Sequence, residues 1–244
     1  MCEGAKDKSA MFEYNEIIGS GNKHCEMVCD VIDGTTQTSQ DGSEAMSIIA
    51  ISDKFFSTDI YYMNKLAVGK NISKYYKPSL KNSIEKTIED IKTVTSKERI
   101  KVCVLNRPRH YELILRLRKL KCSIRLIQDC DVSSSIVAAL NNIDIAIGIG
   151  GCTEGILSAS ALKCLDGYFE GQLVDNKTFT PIEDKIYTKE DLVEGNTSFS
   201  ATGILNGNLL KGVFKKHGKF VTDSIFMSYE TNNIMRINTV HNII

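Results

Sequence analysis

From Ile100 to Cys164 the chain switches repeatedly between two hydrophobic periods, and this limits the folds open to it. Ile100 to Leu105, Cys122 to Ile127 and Ile143 to Ile149 read as strands. Tyr111 to Leu120, Val132 to Asn141 and Thr153 to Cys164 read as helices between and after them. Strands alternating with helices imply an α/β fold with a parallel sheet and helices packed against it. In such sheets ligands bind beyond the carboxyl ends of the strands. Three short segments therefore become candidates: Asn106-Arg107-Pro108-Arg109-His110, Asp129-Cys130-Asp131, and Gly150-Gly151-Cys152-Thr153-Glu154. Each alone is an ordinary surface or capping group, and Asp131 could simply cap the helix that starts at Val132. Together they bring two cations and three carboxylates to one edge.

The rest of the chain is less regular. Glu26 to Ile32 and Ala45 to Ser52 are strand-like, joined by the polar stretch Asp30 to Glu44. From Ser79, apolar residues at 80, 84, 88, 91 and 94 recur at helical spacing, with Pro78 and Ser79 as the start signal. Asn176 to Asn196 reads as a polar loop. Ser198 to Phe214 reads as a strand, an Asn206-Gly207-Asn208 turn and a second apolar run, and the last residues add further sheet.

Charge and cysteine usage narrow the partners. Thirty basic residues balance thirty acidic ones over 244 residues, so no global field draws the chain to nucleic acid or an anionic membrane. No apolar run reaches the length of a membrane span and no secretory leader is evident, which makes a cytoplasmic location the expectation. The eight cysteines form no C-x-x-C pair and sit in apolar stretches, so they read as small core residues. The four histidines stand too far apart for a zinc site.

Asp30-Val31-Ile32-Asp33-Gly34-Thr35 holds the most specific chemistry. Two carboxylates, a turn-permitting glycine and a hydroxyl at a strand end can form an exposed Asx turn. They can equally form a hard-cation site, since Mg2+ and Mn2+ prefer carboxylate oxygens and keep open positions for water and phosphate. Paired arginines at 107 and 109 suit a phosphate through their planar donors. The helix start after Gly150-Gly151 offers backbone N–H groups to an anion. It is not a Walker loop, because Glu154 stands where Gly-Lys-Ser or Gly-Lys-Thr is required.

The same hexapeptide resembles the D-P-[IL]-[DE]-G-T signature of the lithium-sensitive, metal-dependent sugar and inositol phosphatases, with Val31 at the Pro position. Within that superfamily the chain resembles the bacterial class II fructose-1,6-bisphosphatases. GIGGCTEGILSASALKCLDGYFEGQL is similar to their G-I-G-G-x-x-E-G segment and the L-D-G-x-x-x-G-x-L that follows. FSATGILNGNLLKGV is similar to F-x-A-T-G-[IV]-x-x-G-x-L-x-G-[IV], RPRH to K-P-R-H, and DCDV to D-G-D-V.

The resemblance implies a layered α-β-α-β-α sugar phosphatase fold that hydrolyses the 1-phosphate of fructose 1,6-bisphosphate with Mg2+ or Mn2+, as a step of gluconeogenesis in a homo-oligomer. It makes Glu3, Asp30, Asp33 and Glu154 metal ligands. Asp7 and Thr35 would orient the attacking water. Tyr62, Arg107 and Arg109 would hold the distal phosphate, and Asp129 and Asp131 would contact the sugar. It divides the chain into a truncated metal-binding subdomain, 1–77, and an α/β substrate-binding subdomain, 78–244. It also puts Met1 inside a core strand, leaving the first layer incomplete and a family Lys and metal-binding Asp upstream. A broader sugar bisphosphatase that includes sedoheptulose bisphosphate is one alternative. A non-catalytic remnant binding sugar phosphate or a partner subunit is another. An inositol monophosphatase would leave Arg107 and Arg109 no second phosphate to hold.

Overall fold

A computed structural model describes residues 16–21 and 24–242; Glu3 and Asp7 lie outside the described residues. The chain runs β1 (Glu26–Asp33), α1 (Thr35–Ser39), β2 (Met46–Phe55), β3 (Tyr62–Val68), α2 (Lys70–Ser73), α3 (Ile84–Thr95) and β4 (Lys101–Leu105). A 3-10 turn (Pro108–His110), α4 (Tyr111–Lys119), β5 (Ser123–Ile127), α5 (Asp131–Ala139), β6 (Ile145–Gly151) and α6 (Cys152–Cys164) follow. The chain ends with β7 (Tyr168–Val174), β8 (Tyr187–Thr188), α7 (Lys189–Leu192), β9 (Val193–Gly203), β10 (Phe214–Lys216), β11 (Lys219–Ser228) and β12 (Asn233–His241).

The alternation from Ile100 to Cys164 is present as read, with shifts of one or two residues at element ends. The expected parallel sheet is only half right. β5, β4 and β6 are parallel neighbours, but β3 joins β6 antiparallel and β7 and β8 continue antiparallel, giving the order β5-β4-β6-β3-β7-β8. α4 and α5 supply the crossovers that the parallel neighbours β4, β5 and β6 require. The first sheet is wholly antiparallel, β1-β2-β9-β11, with β10 and β12 both on β11. Sheet membership does not follow chain position. β3, from the first 77 residues, lies in the second sheet, and β9 to β12 complete the first.

Amphipathicity fixes the layers. α6 packs on β1, β2 and β9 on one side and on β3 and β7 on the other. Buried on nearly every side, it holds a core that includes Phe169, Phe199, Met46 and Ile136. The second sheet's other face is covered by α3 and α4 around Ile88, Ile91, Ile100 and Leu117. The described layers are thus sheet, helices, sheet, helices. On the outer face of β2, Ile49 and Ile51 stand 37% and 40% exposed.

Three local readings need correction, the first being the expected loop from Asn176 to Asn196, which holds β8, α7 and the first residues of β9. The helix placed from Ser79 starts at Ile84, because Ser83 rather than Ser79 accepts the capping bond, from the N–H of Lys86. The apolar run Leu209 to Val213 is not a strand; Leu209 and Leu210 are buried from a loop, and pairing resumes at Phe214. Most cysteines are buried and free, as read, but Cys25 is exposed.

Glu44 ties the layers together. Its carboxylate receives Arg125 of β5, the Ser133 hydroxyl of α5 (3.1 Å) and the backbone and side-chain N–H groups of Asn208, beyond β9. Replacing it leaves several donors unpaired at once. Glu44→Ala is expected to lower stability by about 2–3 kcal/mol, the exposed share of Arg125 keeping it below a fully buried pair. The midpoint of thermal unfolding should fall by roughly 4–12 °C; an unchanged midpoint would refute the tie.

Candidate active site

Asp30 and Asp33 sit three positions apart, and in a regular strand they would face opposite sides of the sheet. They do not. Asp30 pairs with Ile48 and Asp33 with Met46, so three steps on β1 match two on β2 across a bulge. Ile48 and Met46 both face the core, and both aspartates follow them to 4% exposure. The N–H of Ile32 donates to Asp30 Oδ1 at 3.0 Å, so an Asx-type contact exists within the bulge. Gly34 then adopts a left-handed φ of +96° and opens α1, of which Thr35 is the first residue. The expected turn is therefore a bulge, a glycine and a short helix. Within it the Thr38 hydroxyl donates back to the Gly34 carbonyl at 3.0 Å.

Asp33 is the electrostatic centre. Burial, reinforced by Asp30, Asp131, Glu154 and Asp129, pushes its carboxyl well above the usual carboxylate range. Its Oδ2 is buried without a hydrogen-bond partner among the described residues. An orphaned oxygen surrounded by carboxylates fits a hard divalent cation better than any neutral ligand. Among the described residues no three His, Cys, Asp or Glu side chains already share one ligand shell. Glu3 lies outside the described residues.

The three parallel strands deliver the remaining groups as their order requires. β4 ends at the Arg107–His110 turn, β5 at Asp129, and β6 at the Gly150-Gly151 pair before α6 and Glu154. β3 runs the opposite way, so its first residue, Tyr62, lies opposite Gly151 at that same edge. Asp131 and Glu154 act electrostatically on both Asp33 and Arg109. The site thus extends from Asp33, through these two carboxylates, to the arginines. Arg107 is close enough to Arg109 to oppose its charge.

Arg109 is held rather than free. Its Nε and Nη2 donate to the Ile149 carbonyl at 3.0 and 2.8 Å. Its guanidinium lies over the rings of Tyr62 (5.4 Å) and Phe179 (5.1 Å), which meet edge to face. Burial lowers its pKa. His110 is a staple, not a phosphate ligand. Nδ1 donates to Leu105 O at 2.8 Å, Nε2 accepts from the N–H of Ile149 at 2.7 Å, and burial favours the neutral ring. It ties the arginine turn to β6.

Four groups escaped the sequence reading. Phe179 closes the arginine's aromatic slot from a loop that looked merely polar. His110 stood in the quoted segment without a role. Lys65, 6% exposed, forms an ion pair with Asp131 and lies in β3, a strand that was not recognised. A lysine alternating with Met63 and Ala67 on a core-facing side was the available signal. Cys130, between Asp129 and Asp131, points at the Asp33-Gly34 turn. Its thiol donates to Asp33 O at 3.5 Å, and a Cβ on Gly34 would approach its sulfur to 2.5 Å. The Cys152 N–H, one of the donors offered to an anion, is taken by Tyr61 O at 2.8 Å.

Comparison with known proteins identifies the chain's relatives. A protein of Microcystis aeruginosa, described as D-fructose 1,6-bisphosphatase class 2/sedoheptulose 1,7-bisphosphatase, is 30% identical over 286 positions. These positions span 98% of this chain and 81% of that protein. The fructose-1,6-bisphosphatase class 2 of Haemophilus influenzae is 31% identical over 268 positions, 98% of this chain and 80% of its own. The family described as bacterial fructose-1,6-bisphosphatase, glpX-encoded, matches residues 1–241. The carboxylates gathered around Asp33 and the arginines at the opposite end thus stand in a member of the glpX-encoded bacterial fructose-1,6-bisphosphatase family.

Proposed function

We propose that this chain hydrolyses the 1-phosphate of fructose 1,6-bisphosphate to fructose 6-phosphate and phosphate, with Mg2+ or Mn2+. The observation that carries this reading is the buried Asp33 oxygen, without a partner among the described residues and set among like charges, with paired arginines beyond Asp131 and Glu154. One end of the site suits a cation-bound phosphate and the other a second phosphate. Asp30, Asp33, Glu154 and Glu3 would hold the metal. When bound, a divalent cation there neutralises phosphate charge and lowers the pKa of its water.

The chain's own residues supply the rest. Arg109, pre-oriented by Ile149 O and its two rings, and Arg107 beside it grip the distal phosphate together with Tyr62. Asp129 and Asp131 accept hydrogen bonds from sugar hydroxyls. Thr35, at the first position of α1, aims the attacking water with Asp7. Little protein nucleophile is needed for such a transfer, because positioning and charge neutralisation do most of the work. A gluconeogenic role, a cytoplasmic setting and a homo-oligomeric state go with this reading. Among the described residues, no helix is long and apolar enough to cross a membrane.

The test is phosphate release by the purified protein with Mn2+ or Mg2+. Fructose 1,6-bisphosphate should be cleaved to fructose 6-phosphate, and myo-inositol monophosphate should be at least about 100-fold poorer in kcat/KM, as the lost grip on one phosphate implies. No release above a metal-only control would sink the proposal. Sedoheptulose 1,7-bisphosphate belongs in the same assay, since the Microcystis relative's description includes that activity.

A further inference from the structure

We propose that Lys65 is a positioning residue that sets the sugar end of the site by clamping Asp131 to the Gly150-Gly151 turn; this rests on the function proposed above. Lys65 is buried with its side chain 7% exposed, and Asp131, its ion-pair partner, is 14% exposed. The same ammonium donates to Gly151 O at 3.2 Å. One cation therefore joins the start of α5, which carries Asp131, to the residue from which α6 and Glu154 begin.

The surroundings are built for that clamp. A Cβ on Gly150 would overlap Asp131 Oδ2 and lie 2.6 Å from the Lys65 ammonium, so only glycine lets the pair close over the turn. The Lys65 stem runs past Gly155 of α6, where a Cβ would stand 3.3 Å from its Cδ. A cavity of about 20 Å³ beside Lys65, Asp131, Ser134 and Gly148 has room for a single water. A lysine so enclosed has lost its rotamer freedom, so its carboxylate partner is fixed as well.

The test uses Lys65→Met, Asp131→Asn and the double variant of the full chain, with Lys65→Gln, which keeps a donor, replacing Lys65→Met should that variant not fold. Lys65→Met should raise KM for fructose 1,6-bisphosphate at least tenfold while kcat changes less than threefold. Calorimetry should show fructose 6-phosphate binding weakened to match, and Mn2+ binding to the substrate-free protein within threefold of wild type. The double variant should be no worse in KM than Lys65→Met alone, since Asp131 acts only while held. Additive effects, an unaltered KM, or a parallel loss of Mn2+ binding and kcat would overturn the role. A wild-type chain that neither binds nor cleaves the sugar phosphates would instead sink the proposed function, and this role with it.

Discussion

Asp33→Asn is expected to reduce turnover of fructose 1,6-bisphosphate by three orders of magnitude or more and, at neutral pH, to make the metal-free protein more stable. Both follow from one environment. Asp33 is buried beside Asp30, Asp131, Glu154 and Asp129, with an oxygen that has no partner among the described residues. An ionised carboxylate there opposes folding unless a cation accompanies it. The amide keeps the shape, removes the charge and can donate to a neighbouring carboxylate. The gain should be about 1–2 kcal/mol, or roughly 2–8 °C in unfolding midpoint for a chain of this size.

The pH dependence has a definite sign. With a folded-state pKa above the unfolded value, the native chain holds the proton more tightly, so Asp33 weakens the fold as pH rises through that interval. The advantage of Asn should therefore grow as pH rises above the unfolded value and shrink on acidification towards it. Thermal scans without metal between neutral pH and about pH 4, near the unfolded value, would show it. A variant less stable than wild type at every pH would contradict this account of Asp33.

Arg109→Met should raise KM for fructose 1,6-bisphosphate about 100-fold, the loss of charge-assisted hydrogen bonds to one phosphate. Arg109→Lys should lie between, at about tenfold, because an ammonium keeps the charge but cannot form two bonds to Ile149 O while stacking on Tyr62 and Phe179. A small phosphate monoester provides the control. Having no second phosphate, its slow hydrolysis should change less than threefold in either variant. Equal losses on the monoester and the bisphosphate would mean that Arg109 serves the chemistry or the fold rather than the distal phosphate.

The βα alternation was legible because each βα unit carries its own hydrophobic period, and the sheet-edge segments follow from it. The grouping of Arg107, Arg109, Asp129, Asp131 and Glu154 along one edge was legible for the same reason. The co-facing of Asp30 and Asp33 was not, since strict alternation sets them apart and only pairing with β2 shows the bulge. β3 stayed hidden because Asn64 and Lys65 interrupt its apolar run, and with it went Lys65 and the antiparallel half of the second sheet. Phe179 and Glu44 act from loops, with partners more than 60 positions away, and no local pattern registers such distances. Glu3 and Asp7 lie outside the described residues, so their roles rest on the family resemblance alone.

The first sheet takes β1 and β2 from the front of the chain and β9 to β12 from the back, with the whole second sheet threaded between. Ribosomal synthesis therefore releases Asp30 and Asp33 long before β9, the strand that lines the inner edge of β2. The β1-β2 hairpin can form early, but until residue 203 has emerged the inner edge of β2 stays open. The sheet that carries Asp30 and Asp33 is begun early and closed late, and its assembly awaits strands translated more than 150 residues after them.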